Sequence, residues 1–205
     1  MTKRALTLED VLSYKPKTLP FQNEWMDFVG EPEIGSTWII WGSSFNGKTR
    51  LALQLQKCIA QFCKTAYNSL EEGLSNSFKQ AVEEENFSNV KRNFQLWDKI
   101  SIAEMKIKLH QKRSPDVIFI DSVQYAGMTY ADYKVLKKEF PRKTFIFISH
   151  ADGKEPKGNV ARSIRYDASI KIYVEGYKAF PQSRFGGGKE LVIYQKGAEE
   201  YWNFK

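Results

Sequence analysis

The sequence predicts an α/β fold, with a mostly parallel central sheet, helices on both faces and antiparallel strands near the C-terminus. Three observations carry this. Residues 42–49 read Gly-Ser-Ser-Phe-Asn-Gly-Lys-Thr, between an apolar run at 37–41 and a helical pattern of Leu51, Leu53, Leu55, Cys58, Ile59 and Phe62. Apolar runs at 64–70, 94–97, 116–121 and 144–150 alternate with helical segments at 74–85, 102–111 and 130–140. Such β-α alternation builds a parallel sheet covered on both sides. After residue 168 the character changes. Residues 169–174 alternate polar and apolar, three glycines occupy 186–188, and short runs at 191–194 and 199–202 read as antiparallel strands closing the sheet.

Taken from the N-terminus, residues 1–35 form a lead-in expected to pack on a single core domain, 36–205. Residues 6–12 predict a short helix with Thr7 as its cap, and Pro16 and Pro20 break it. Residues 31–35 read as a turn before the first core strand. At 205 residues the chain suits one domain with a sizeable core. No stretch reaches the roughly 20 apolar residues of a membrane span, and residues 1–5 lead into no apolar signal core. A cytoplasmic location without membrane contact is the expectation. Cys58 and Cys63 fall on one predicted helix, too close in register for a disulfide, and neither they nor His110 and His150 have zinc spacing.

The eight residues at 42–49 match G-x-x-x-x-G-K-[ST], whose backbone N–H groups wrap phosphate oxygens. Gly42 and Gly47 are expected to permit the tight approach. Ser43, Ser44, Phe45, Asn46 and Arg50 complete the predicted cradle, Lys48 reaches the β- and γ-phosphates, and Thr49 offers a hydroxyl to Mg²⁺. The helix that comes next adds its N-terminal dipole.

In an open α/β sheet, ligands bind beyond the C-terminal ends of the strands. Asp121 ends the run at 117–121 and is a candidate Mg²⁺ ligand, or else a helix cap. Glu71 and Glu72 follow the second strand, expected beside the first. A carboxylate there can orient an attacking water, with Glu71 preferred, or simply charge a helix N-terminus. His150, at the end of the run at 144–150, is either a γ-phosphate sensor or a structural histidine.

This ordered set resembles the RecA-like ATPase core, and within it the DnaB-helicase, RadA and KaiC branch, over about residues 36–202. The resemblance implies ATP and Mg²⁺, with Glu71 as the catalytic glutamate, Asp121 as the Walker B aspartate and His150 as the nucleotide sensor. It implies mobile loops at 122–129 and 151–165 that face a nucleic-acid partner, single-stranded DNA in particular. Lys154, Lys157, Arg162 and Arg165 would contact phosphates, and Tyr125 and Tyr130 would stack on bases. Residues 134–165 hold nine Lys/Arg against three Asp/Glu, within a net charge of +7, which also suits a merely solvated face. Such cores often assemble as rings or filaments and take a basic finger from a neighbour. Lys196 on an expected strand at 191–196, with Arg184 behind it, fits that role, and a monomer working with a replication or recombination partner would not need it. The helicase's collar domain and RadA's zinc cysteines have no counterpart, so the likeness is to a minimal, stand-alone core of the phage or mobile-element kind. The expected function is an ATPase acting on DNA in replication, recombination or repair. An ATP-gated protein-interaction module and a small-molecule or nucleotide kinase are the alternatives.

Overall fold

The computed structural model describes residues 4–203. Six strands run parallel: β1 (Thr37–Gly42), β2 (Thr65–Ser69), β3 (Phe94–Asp98), β4 (Val117–Asp121), β5 (Thr144–Asp152) and β7 (Ile170–Glu175). Two more, β8 (Lys178–Ser183) and β9 (Leu191–Val192), add antiparallel at one side, giving the order β3-β2-β4-β5-β1-β7-β8-β9. A two-residue strand, β6 (Glu155–Pro156), pairs with the end of β5.

Alternation along β1 shows how the layers divide. Trp38 and Ile40 join a core with Leu51, Leu55 and Ile59 of α3 (Lys48–Ile59), Phe78 of α4 (Asn76–Glu85) and Phe28 of α2 (Asn23–Val29). Ile39 and Trp41 face the other way, onto Met105 of α5 (Ile102–His110), Tyr133 of α6 (Tyr130–Glu139) and Ile164 of α7 (Asn159–Asp167). Period-2 side chains therefore supply both faces of a fully covered sheet. Helix starts are set by local chemistry: Ser101 and Thr129 form capping boxes with Glu104 and Asp132. Thr7 caps α1 (Leu8–Leu12) in the same way. Leu19, Phe21, Phe28 and Val29 of the lead-in are buried in the α3-side core. No helix among the described residues is long and apolar enough to cross a membrane.

Several expectations are corrected. The second strand does not lie beside β1; β4 and β5 stand between them. Residues 151–165 are not one mobile loop but the end of β5, a turn, β6 and most of α7. Ala161, Ile164 and Ala168 recur at helical spacing and are buried, so packing overrides the glycine and proline signals. The expected strands at 191–196 and 199–202 reduce to β9 and then α8 (Gln195–Asn203), which places Lys196 on a helix. Tyr201 donates to Glu175 at 3.0 Å and Trp202 to the Gly176 carbonyl at 3.0 Å, holding this helix against the β7–β8 turn. Strand β8 went unread because Pro181 lies inside it. Its hairpin turn is Gly176-Tyr177, both at positive φ, the geometry of a two-residue type I′ loop.

Candidate nucleotide site

The loop 43–47 leaves β1 and enters α3, whose first residue is Lys48. Phe45 stands at its apex, 94% exposed and at φ +61. Gly47, at φ +96, adopts a backbone that favours glycine, and a Cβ there would press on Tyr177 at 3.1 Å. A Cβ at Gly42 would lie 2.2 Å from the Val174 carbonyl of β7, so the neighbouring strand by itself demands glycine there.

Asn46 anchors the loop. Its Oδ1 accepts from Gly176 N at 2.6 Å, its carbonyl accepts from Tyr177 N at 3.2 Å, and its amide donates to the Ser44 carbonyl at 2.9 Å. The β7–β8 turn therefore holds the cradle, a role the sequence reading missed. Tyr177 is the residue it overlooked, and the hairpin signal around Gly176 could have pointed to it.

A cleft of about 650 Å³ opens beside the loop, lined by Lys48, Thr49, Glu71, Asp121, Ser122 and His150 among others. It brings together residues from the ends of four strands that are distant in sequence. Lys48 Nζ donates to the Ser43 carbonyl at 2.9 Å. Burial lowers its pKa, opposed by the negative charges of Asp121 and Glu71. Asp121 accepts from Tyr67 Oη at 2.5 Å. Desolvation at the cleft floor raises its carboxyl to about 6, against the Tyr67 hydrogen bond, which lowers it. The Thr49 side chain lies close enough to the buried Tyr67 hydroxyl to lower its pKa, against the larger upward push of burial and of Asp121. Two hard oxygens lining one cleft, from Thr49 and Asp121, fit Mg²⁺, which takes one or two protein ligands and fills its shell with phosphate and water. No cluster of three His, Cys, Asp or Glu that could form a fuller metal cage occurs among the described residues.

Glu71 and Glu72 are separated by their partners. Glu71 Oε2 meets His150 Nε2 at 2.9 Å and accepts from Ser122 Oγ at 3.2 Å, at the centre of the cleft. Glu72 accepts from Ser75 and Ser77 at the start of α4. His150 is set in turn by Gln124, whose Oε1 accepts from the His150 N–H at 3.2 Å and whose amide donates to Ser149 Oγ and the Lys157 carbonyl. Ser122 and Gln124 were also missed; both come just after the Asp121 strand, where the only sequence signal was their proximity to that aspartate.

The remaining candidates are engaged by other partners or lie outside the cleft. Arg50 lines the cleft, but its guanidinium is held by Glu84 at 3.3 Å and Glu85 at 3.1 Å and sits over the Tyr194 ring. Lys196 is exposed on α8 and does not line the cleft. Arg162 pairs with Asp152 at 3.2 Å, and Arg165 with Glu155 at 2.6 Å while covering Trp41. These two arginines tie α7 to the β5–β6 hairpin. Lys154 and Lys157 are exposed, as is Tyr125, whereas Tyr130 donates to Asp167 at 2.8 Å. Arg184 is exposed, and its backbone N–H donates to the Ser169 carbonyl.

No protein-family model matches the chain, and no curated protein matches it in sequence. In structure it is similar to the flagellar accessory protein FlaH from Methanocaldococcus jannaschii. The two share 18% identity with a TM-score of 0.64, over 88% of this chain and 96% of that one. The two chains share an α/β fold. The likeness concerns architecture: a mostly parallel sheet between helices, with antiparallel strands at its C-terminal side.

Proposed function

We propose that this chain is a Mg²⁺-dependent ATPase. The observation that carries the reading is the convergence of Lys48, Thr49, Asp121 and Glu71 on one cleft, with Glu71 aimed by Ser122 and His150 while Glu72 serves α4. The residues at 43–49 bind the triphosphate, and Lys48 exchanges its hydrogen bond to Ser43 for phosphate oxygens. Thr49 and Asp121 hold Mg²⁺, which when bound neutralises phosphate charge. Glu71 accepts a proton from, and orients, the water that attacks in line. His150 fixes the rotamer of Glu71 and lies where a terminal phosphate would be felt. ATP turnover by the wild type, Lys48→Ala, Glu71→Gln and Glu72→Gln tests this. Loss in the first two variants with retention in the third is expected; equal turnover in all four rejects the site.

The finer reading places the protein near the DnaB, RadA and KaiC branch, as a stand-alone core acting on single-stranded DNA in replication, recombination or repair. Support comes from the exposed Lys154, Lys157 and Tyr125 at the cleft end of the sheet. Lys196 as a charge lent to a neighbouring copy, with Arg184 behind it, belongs to the same proposal; a mass measured with ATP present tests it through the oligomer it requires. A second reading is an ATP-gated protein-interaction module. It is favoured by the ion pairs that occupy Arg162 and Arg165, and by a structural neighbour described as an accessory protein.

A further inference from the structure

Four of the six segments that enter the parallel strands from below share a basic composition, those before β1 and β7 being the exceptions. Residues 60–64 lead into β2, 86–93 into β3, 111–116 into β4 and 140–143 into β5. Each carries cations: Lys64; Lys91 and Arg92; Lys112 and Arg113; Arg142 and Lys143. That makes seven, against a single acid, Asp116. The four strands are consecutive in the sheet, β3-β2-β4-β5, so the loops stand side by side. At a strand spacing of about 4.8 Å the row is roughly 14 Å long. It lies at the end of the sheet opposite the nucleotide cleft.

The row surrounds recesses. A cleft of about 480 Å³ is lined by Lys17, Lys64, Arg113 and Lys143, with Phe62, 40% exposed, in its wall. Asn93, Ser114 and Asp116 add hydrogen-bonding groups there. A second cleft, of about 200 Å³, shares Arg113 and adds Lys108 and Lys112. The inner cations brace the loops: Lys143 Nζ lies 3.3 Å from Asp116 and donates to the Ser114 carbonyl, and Lys64 Nζ donates to the Arg113 carbonyl. Lys91, Arg92, Lys112 and Arg142 are exposed around them.

We propose that this lower edge of the sheet binds a single-stranded polynucleotide, its phosphates along the row of cations and a base against Phe62. Rows of cations with an aromatic face are what a single strand recognises. A lipid surface meets protruding residues first, whereas Lys64, Lys112, Arg113 and Lys143 of this row rim clefts that admit a chain. The proposal does not depend on ATP hydrolysis and adds a line of contact separate from Lys154 and Lys157 of the β5–α7 region.

The test is fluorescence anisotropy with labelled dT20 and rU20 at 50 mM salt without nucleotide, so that failure here and failure of the ATPase reading are separable. The quadruple variant Lys91→Glu, Arg92→Glu, Lys112→Glu, Arg142→Glu should bind at least about 10-fold more weakly, and the corresponding Gln set should fall between it and wild type. Four phosphate contacts predict about 50-fold weaker wild-type binding from 50 to 200 mM salt, a dependence the quadruple variant loses. Lys99→Glu with Lys189→Glu should bind as wild type, and Lys154→Glu with Lys157→Glu reads the contact of the finer reading separately. Unchanged thermal melting shows that the variants fold. The comparison of dT20 with rU20 assigns the strand as DNA or RNA. The proposal is overturned if wild type binds neither strand, if the Lys154/Lys157 variant loses binding and the quadruple variant does not, or if phosphatidylserine vesicles or polyglutamate bind at least as tightly through the same cations.

Discussion

At the C-terminal edge of the parallel sheet, Glu71, Asp121 and Lys48 converge on one cleft and are partly withdrawn from water. At the N-terminal edge, seven cations are divided among four loops and mostly stay in solvent. Both sets arise from the same repeated β-α unit. The difference lies in the two kinds of connection. Loops after the strands turn polar side chains into one cleft, where Ser122 and His150 aim Glu71 and burial moves the pKa values of Lys48 and Asp121. Loops before the strands are of similar length, and their mostly exposed cations act through summed field more than through individual geometry. On the readings proposed above, one edge serves chemistry at a point and the other contact along a line.

Substitutions separate the two edges most sharply at the nucleotide cleft. Lys48→Ala should lower turnover about 100-fold or more through lost charge stabilisation, with weaker nucleotide binding as well. Glu71→Gln should lower turnover about 100- to 10,000-fold while equilibrium binding of ATP persists. If Glu71→Gln weakened binding as much as Lys48→Ala did, Glu71 would be a structural member of the cleft and the contrast with Glu72 would collapse.

Gly42→Ala tests whether the neighbouring strand sets the cleft edge. The new Cβ meets the Val174 backbone, which can yield only if β1 and β7 shift. A cost of about 1–3 kcal/mol, read from urea midpoints, is expected. An unchanged midpoint would mean that the edge tolerates the movement and that glycine there serves the ligand.

At the opposite edge, Lys112→Glu alone should alter stability by no more than about 0.5 kcal/mol, since its side chain is exposed. Turnover should match wild type. A large stability loss would show these cations to be part of the packing.

The smallest effect concerns the thiols near that edge. Burial, with nearby acids, raises Cys58 and Cys63 to about 12 each, so the reactive thiolate is scarce at neutral pH. Alkylation by iodoacetamide should be slow in the folded protein and should rise steeply when urea unfolds it. Fast labelling in buffer would place the thiols in solvent and weaken the account of a tightly packed α3 end.

Much of the central sheet was legible because its signals are local. The runs at 117–121 and 144–150 are apolar, β-branched and aromatic, and each ends at a polar residue where the strand leaves the core. The C-terminal third was less legible. Pro181 masked β8, and α8 has few apolar residues to mark a helical stripe; it is held by Tyr201 and Trp202 reaching the β7–β8 turn. The site divided in the same way. The cradle at 42–49 could be read directly, and Glu71, Asp121 and His150 from their places after strands. Tyr67, Ser122, Gln124 and Tyr177 could not, because their partners are distant in sequence: Tyr67 meets Asp121 and Tyr177 supports Asn46.

The sequence by itself determined the α/β class, the loop–helix cradle and the polar residues that end the strands, since period, turn chemistry and motif spacing act over a few neighbours. Only the tertiary structure decided where the charges fall. The basic run at 134–165 reads as one patch along the chain, yet β5 passes through its middle. Residues 134–143 lie towards the lower end of the sheet, and 154–165 lie by the cleft end, where two of their four cations are neutralised by Asp152 and Glu155. Strand order sets which loops become neighbours, and strand order depends on the burial of both faces of the sheet, a property of the whole chain.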